Sequence, residues 1–410
     1  MKINLFLAYF FLSFSFLNSF YLIRSNETAY FIFYALFLVC LFFASCYYIN
    51  KTKIKEIYSF FSFFKYLFIF YIFDFLLQAF YHKIALMPLF LSMSSSLSAI
   101  LCIFLFSKII NNDNDFIKIN YFIFYLLNIS LFVGIVDSLG ILSINILAPT
   151  KIIEGYSFGI FKNTAGLLEH PISFGISGVL LFVISTLLNK ITLRNLPYLV
   201  LLFVGVFISF SRTAYLLLLI CFLLFIIHKK YISKTLFLIL FSMLIASLFF
   251  FDLYNIESLN QILRLEKGLS GREFIIAFFL SIPFNLSQVL FGFGYENLFA
   301  IRDSLLTDIE FKMTQLQFRS VHNLYISTLA NSGILLSILY FGSQLKIYNQ
   351  HIKSRLNFYN YIQLVMIIFF IGNLFVEFKI GGIRIISIYF SIILGFIFNA
   401  YSKKQNEISK

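Results

Sequence analysis

Residues 28–49 read TAYFIFYALFLVCLFFASCYYI, an unbroken apolar run without a single charge. As a helix rising about 1.5 Å per residue, a run of this length crosses a hydrocarbon core of roughly 30 Å. A membrane strand would instead alternate apolar and polar residues over about ten positions, and this stretch does not. Comparable blocks recur at 3–23, 58–80, 84–107, 119–141, 171–188, 196–211, 212–228, 233–251, 323–345, 361–378 and 383–400. Helices satisfy their own backbone hydrogen bonds inside lipid, so the pattern predicts an all-α, polytopic transmembrane bundle of about a dozen spans. The first block runs on to Ile23 without a small-residue cleavage site, and is read as a retained span rather than a signal peptide.

The composition agrees with that reading. Hydrophobic residues make up 60% of the 410 and charged residues only 12%, half the share of an ordinary soluble domain, at roughly 25%. Fifty-nine Phe and 25 Tyr with no Trp describe a compositional bias that says little about function. Cys40, Cys46, Cys102 and Cys221 all fall inside apolar blocks, where a thiol behaves as a small buried hydrophobe, and no disulfide or zinc spacing is present.

Basic residues set the expected orientation. With the N-terminus in the cytoplasm, the links holding Lys51, Lys53 and Lys55, Lys229 and Lys230, and Lys346, Lys353 and Arg355 all face inward. The short links on the other side hold far fewer cations, among them Arg24, Lys83, Arg212 and Arg384, as the positive-inside rule requires. Both termini are then cytoplasmic, and the net charge of +13 is an orientation signal that needs no nucleic acid to explain it. Two outer segments are longer than ordinary connections: 142–170, and 252–322, which is expected to form a large extracytoplasmic loop containing short helices within a single integral membrane domain, 1–410.

Intramembrane charge is sparse: Lys65, Asp74 and Asp137. Lys65 and Asp74 lie nine positions apart, on opposite sides of one helix, and all three residues are read as structural, which weakens a transporter reading. Cations at the outer face are more informative. A guanidinium binds phosphate oxygens bidentately and keeps its charge at any physiological pH. Arg212 stands in Phe210-Ser211-Arg212-Thr213, at a tight outer turn. Arg264 and Arg272 flank a short stretch of the large loop, where Ser270-Gly271-Arg272-Glu273 has the capping-box pattern and predicts a helix start that could hold an anion. Arg319 and His322 stand where the span after the loop begins, and an imidazole there can accept a proton near neutral pH. Asp113-Asn114-Asp115 matches a metal-binding DxD only formally and is expected to be a solvated turn, while Phe291-Gly292-Phe293-Gly294 is expected to mark a turn in the outer loop.

Taken together these residues resemble the O-antigen ligase and polymerase family of bacterial surface-polysaccharide enzymes. His322-Asn323-Leu324-Tyr325 with Gly333 about ten residues on is similar to the family's His-Asn motif entering a span. Ser211-Arg212-Thr213-Ala214, Ser270-Gly271-Arg272 and Gly292-Phe293-Gly294 follow in the family's order over about 160–345, and Gly166-Leu167-Leu168-Glu169-His170-Pro171 is similar to its proline-containing segment. The resemblance implies an undecaprenyl-diphosphate-linked glycan donor at the outer leaflet of the cytoplasmic (inner) membrane and an acceptor sugar hydroxyl. It implies that Arg212 and Arg272 bind the diphosphate, that Arg264 and Arg319 assist, and that His322 positions or deprotonates the acceptor. It also implies a metal-independent reaction without cofactor, and a chain-length regulator as a further expected partner. Repeat-unit polymerisation into O-antigen or capsular polysaccharide is the expected activity. Ligation of the glycan to lipid A core is the alternative, and a flippase is the reading from another class, disfavoured by the sparse intramembrane charge and the large outer loop.

Overall fold

The computed structural model describes residues 3–20, 26–141, 157–158, 161–162, 164–168, 170–191, 195–228, 285–294, 324–354, 358–373 and 384–408. The helices are α1 (Ile3–Asn18), α2 (Glu27–Lys51), α3 (Ile54–Phe63), α4 (Lys65–Leu76, continued by a π-turn over Leu77–Tyr81), α5 (Leu86–Ile109), α6 (Asp113–Ser138) and α7 (Pro171–Leu187). They continue with α8 (Leu196–Phe207), α9 (Arg212–His228), α10 (Leu286–Phe291), α11 (Leu324–Ser354), α12 (Tyr359–Gly372) and α13 (Ile385–Ile408). A two-residue antiparallel pair, β1 (Ser157–Phe158) with β2 (Phe161–Lys162), is a small addition to the all-α expectation.

Over its described residues each apolar block overlaps a helix, with 58–80 overlapping two, while 233–251 lies outside the described residues. Among the described residues, 5 helices are long and apolar enough to cross a membrane, and 6 if the bent pair α3–α4 is counted as one span. The remaining apolar helices α1, α7, α8, α9 and α12 are shorter.

Local chemistry explains the helix starts. Asn26 caps α2 by accepting from the Ala29 N–H at 3.1 Å, and Asn112 caps α6 by accepting from the Asp115 N–H at 2.8 Å. This corrects the expectation of a solvated turn at Asp113-Asn114-Asp115: these residues are the first turn of α6, with Asp115 buried, and their carboxylates suit the positive end of the helix dipole. Pro171 opens α7 behind His170, whose Nδ1 accepts from the Ile172 N–H.

A second correction concerns 58–80, expected as one span. The chain bends by 73° between α3 and α4, at Phe64, without proline or glycine. Aromatic packing accounts for the bend: Phe60 and Phe63 both pack edge-on against Phe398 of α13, with Phe60 also against Phe104 of α5. Lys65 is exposed and Asp74 buried, as their nine-residue spacing requires.

The interior is built around α7 and α13. From Phe174 to Ile184 every side chain of α7 is buried, enclosed by α6, α8, α9 and α12. Close approach is possible because α7 presents glycines: a Cβ at Gly175 would lie 2.5 Å from Ser209 Oγ, and one at Gly178 2.6 Å from Val206. Helix α13 packs on α5, with 78% of its apolar window buried. At its centre Asn120 Oδ1 accepts from Tyr361 Oη at 2.7 Å and Tyr389 Oη at 2.5 Å, joining α6, α12 and α13. Asn399 ties α13 to the carbonyls of Ser107 and Ile110.

Candidate functional site

Arg212 is the first residue of α9, at the end of a sharp turn from α8. Phe210 adopts φ 45°, a left-handed conformation costly for a bulky residue and held here by local hydrogen bonds. Ser209 Oγ accepts from the Ser211 N–H, Ser211 Oγ accepts from the Ala214 N–H, and Tyr215 Oη donates to the Phe207 carbonyl at 2.5 Å. The turn is therefore rigid, and the half-buried Arg212 leaves it at the mouth of the bundle.

Neighbouring segments converge there. Thr164 donates its N–H to the Ile208 carbonyl and its hydroxyl to Asp137 Oδ2 at 2.6 Å, which gives Asp137 a structural role at the end of α6. Phe20, just beyond α1, forms an isolated bridge with Leu168. A cavity of about 10 Å³, room for roughly one water, lies among Ser19, Ser173, Ser177 and Arg384, so Arg384 stands at this same end. Helix α12 packs on both α7 and α9, and its last turn reaches the start of α11: Leu324 donates to the Asn373 carbonyl at 3.0 Å, and Tyr325 Oη to the Phe370 carbonyl at 2.9 Å. The entry of α11 and the Arg212 turn thus share one end of the bundle. At the opposite end a cavity of about 350 Å³ lies among Thr186, His228, Tyr359 and Asn360.

Of the residues singled out from sequence, Arg212 is described. Arg264, Arg272, Arg319 and His322 lie outside the described residues, as does the capping box at Ser270–Glu273. A capping box that sequence reading did not pick out occurs at Asn285, which accepts from the Gln288 N–H while the Gln288 side chain accepts from the Asn285 N–H, starting α10. Among the described residues no three His, Cys, Asp or Glu side chains stand close enough to share a metal ion.

A polar cluster that sequence reading also missed lies where α4, α10 and α11 meet. Helix α11 is broken at Gly333, with φ 72° and ψ 179°. The break deprives the carbonyls of Ala330 and Asn331 of their helical partners, and buried carbonyls need others. Phe293 and Gly294 supply them, donating to the Ala330 and Asn331 carbonyls at 2.7 and 3.0 Å. Phe291 ends α10, and Gly292-Phe293-Gly294, expected to mark a turn in the outer loop, lies against a broken helix, with Gly292 and Gly294 at φ 74° and 85°. The signal available in the sequence was a polar residue every four positions in an apolar block, at Asp74, Gln78 and His82.

Residues 197–341 match a family model described as O-antigen ligase. No curated protein and no solved structure matches the chain.

Proposed function

We propose, from the match of residues 197–341 to a family model described as O-antigen ligase, that this chain moves a glycan from undecaprenyl diphosphate to a sugar hydroxyl at the outer leaflet, polymerising repeat units. The observation that carries the reading is the shared end of the bundle. Arg212 opens α9 there, and Leu324, two positions after His322, docks there on Asn373. His322 precedes that docked residue by only two positions, and two residues of chain span at most roughly 7 Å, which supports the reading.

The chemistry follows from those groups. The acceptor oxygen forms a bond to the anomeric carbon as the bond from that carbon to the diphosphate oxygen breaks. The acceptor proton passes to His322, and the leaving diphosphate takes the bonding electrons. Arg212 and Arg272, with Arg264 and Arg319 in support, neutralise the charge that develops on the leaving group, a role that guanidinium groups fill in a site shielded from water. On this reading about twelve spans, one of them 233–251, place 252–322 outside the membrane and both termini in the cytoplasm.

Ligation to lipid A core is the second reading, favoured by the description of the matching family. The glycan profile of a deletion strain separates the two. Loss of long chains with a single repeat unit retained on the core indicates polymerase, and loss of every unit indicates ligase. Lipid-linked units trapped on the cytoplasmic leaflet would instead reject both. Complementation by Arg272→Ala or His322→Ala at normal membrane abundance should restore nothing; full restoration by either would reject the site.

A further inference from the structure

Asp74, Gln78 and His82 follow one another at four-residue intervals along α4 and its π-turn, and each touches a different part of the junction between α10 and α11. Asp74 is 2% exposed and its Oδ1 accepts from Ser332 Oγ at 2.6 Å, the residue immediately before the break in α11. Gln78 Nε2 donates to that same Oδ1 at 3.2 Å and to the Asn331 carbonyl at 3.1 Å. His82 Nε2 lies 3.0 Å from the Phe291 carbonyl, an acceptor only, so this nitrogen carries the proton. Tyr81 adds a ring contact to Phe291, and Gly294 packs so closely on His82 that a Cβ there would lie 2.7 Å from the imidazole.

The π-turn is what lets this happen. Widening the helix over Leu77–Tyr81 keeps Gln78 and His82 on the side that faces α10 and α11, and π-turns are rare outside places where a side chain must be re-aimed. Gly333 fits the other half of the arrangement, since a Cβ there would lie 2.3 Å from the Leu290 carbonyl oxygen. A buried carboxylate, two glycines at positive φ and a helix interrupted inside an apolar block are each unfavourable alone. Together they satisfy one another.

We propose that Asp74, Gln78 and His82 are positioning residues for transfer: they hold 291–294 on the break of α11 and so fix the point from which the chain runs on, in sequence, toward Arg319 and His322. This rests on the glycan-transfer reading for its reaction, while the holding itself can be judged without it. Gly294 and Leu324 bound the stretch that carries those two residues. Gly294 bonds to Asn331 within α11 and Leu324 to Asn373 at the end of α12, so the residues on either side of that stretch are each held by a neighbouring helix. Loosening the Gly294 anchor shifts the point from which the chain leads to the residues assigned to transfer above, and small misplacements of reacting groups cost rate more than binding.

Two measurements on the full chain in nanodiscs test this. The first is amide hydrogen exchange in the peptide spanning 289–296, which reads the Phe293 and Gly294 hydrogen bonds directly. The second is kcat and KM for a polyprenyl-diphosphate-linked repeat unit. In Asp74→Ala, exchange in that peptide should rise at least about tenfold while peptides of α7 and α13 stay unchanged. The kcat should fall about tenfold or more with KM within about threefold, and adding Ser332→Ala should cost little further, because both act through one hydrogen bond. Should Asp74→Ala loosen α7 and α13 as well, Ser332→Ala alone and His82→Gln, which retains a donor, decide. The first should raise exchange at 289–296 and the second should leave it near the parent. Unchanged exchange at that peptide, or faster exchange with unchanged kcat, overturns the proposal. A parent chain that transfers no glycan overturns the reaction assigned above, and the exchange result still decides whether the stripe holds the turn.

Discussion

The Arg212 turn and the Asp74 cluster are both polar regions in an apolar bundle, and they are built in opposite ways. The turn is mostly local: its side-chain bonds connect residues between Phe207 and Tyr215, with one backbone bond from Thr164 added to Ile208. The cluster joins residues some 250 positions apart, and no single segment holds enough of it to be stable. Local construction places a charge at the rim, where it can meet a ligand. Distant construction places a charge inside, where its partners are other parts of the same chain. Polar residues in a membrane bundle therefore divide by the range of their partners before they divide by chemistry.

Substitutions can break that division in order of size. Arg212→Ala should lower the transfer rate by about 100- to 1000-fold, the usual cost of removing a group that stabilises developing charge, with the protein still inserted and folded. Arg212→Lys should recover part of it, because a point charge replaces a bidentate fork. Rates in purified membranes, normalised to protein abundance, check both. Gly333→Val meets a positive φ and the Leu290 carbonyl at once, and should cost about 2–4 kcal/mol of stability, read as a lowered thermal midpoint in detergent. Asn120→Leu should cost about 1–3 kcal/mol by leaving the Tyr361 and Tyr389 hydroxyls without their acceptor, and should leave kcat unchanged, since this node lies in the interior between α6, α12 and α13. Phe43→Ala on the outward face of α2, where the ring is 67% exposed, should change stability by less than about 0.5 kcal/mol. A large loss of rate from Asn120→Leu would erase the distinction between interior and rim.

The helices were legible because apolar runs of span length have few alternatives in lipid. Their relative placement was not. Helices α2 and α13 have similar hydropathy in their apolar windows, 2.3 and 1.8, yet 22% of one and 78% of the other is buried. The bend at Phe64 arises from contacts with Phe398 and Phe104, which no local pattern announces. The position of Arg212 in a tight turn was readable because two apolar blocks, 196–211 and 212–228, adjoin there without a polar link. Gly333 was noted as a spacing from His322, but that a helix breaks there depends on Leu290 and Phe293 arriving from elsewhere. Asp74 was weighed against Lys65, its only charged neighbour along the helix, while the partners described above, Ser332 and Gln78, are neutral and come from contacts that this comparison did not consider.

The enclosure of α7 has a consequence for biosynthesis. Its neighbours α6, α8 and α9 are made immediately before or after it, but α12 begins about 170 residues later. At roughly 5–20 residues per second, the ribosome needs on the order of ten to thirty seconds to deliver that last wall. Throughout that interval the end of α7 at Thr186 and Leu187, which in the finished fold lies beside Phe358 to Tyr361, waits for the segment that will flank it.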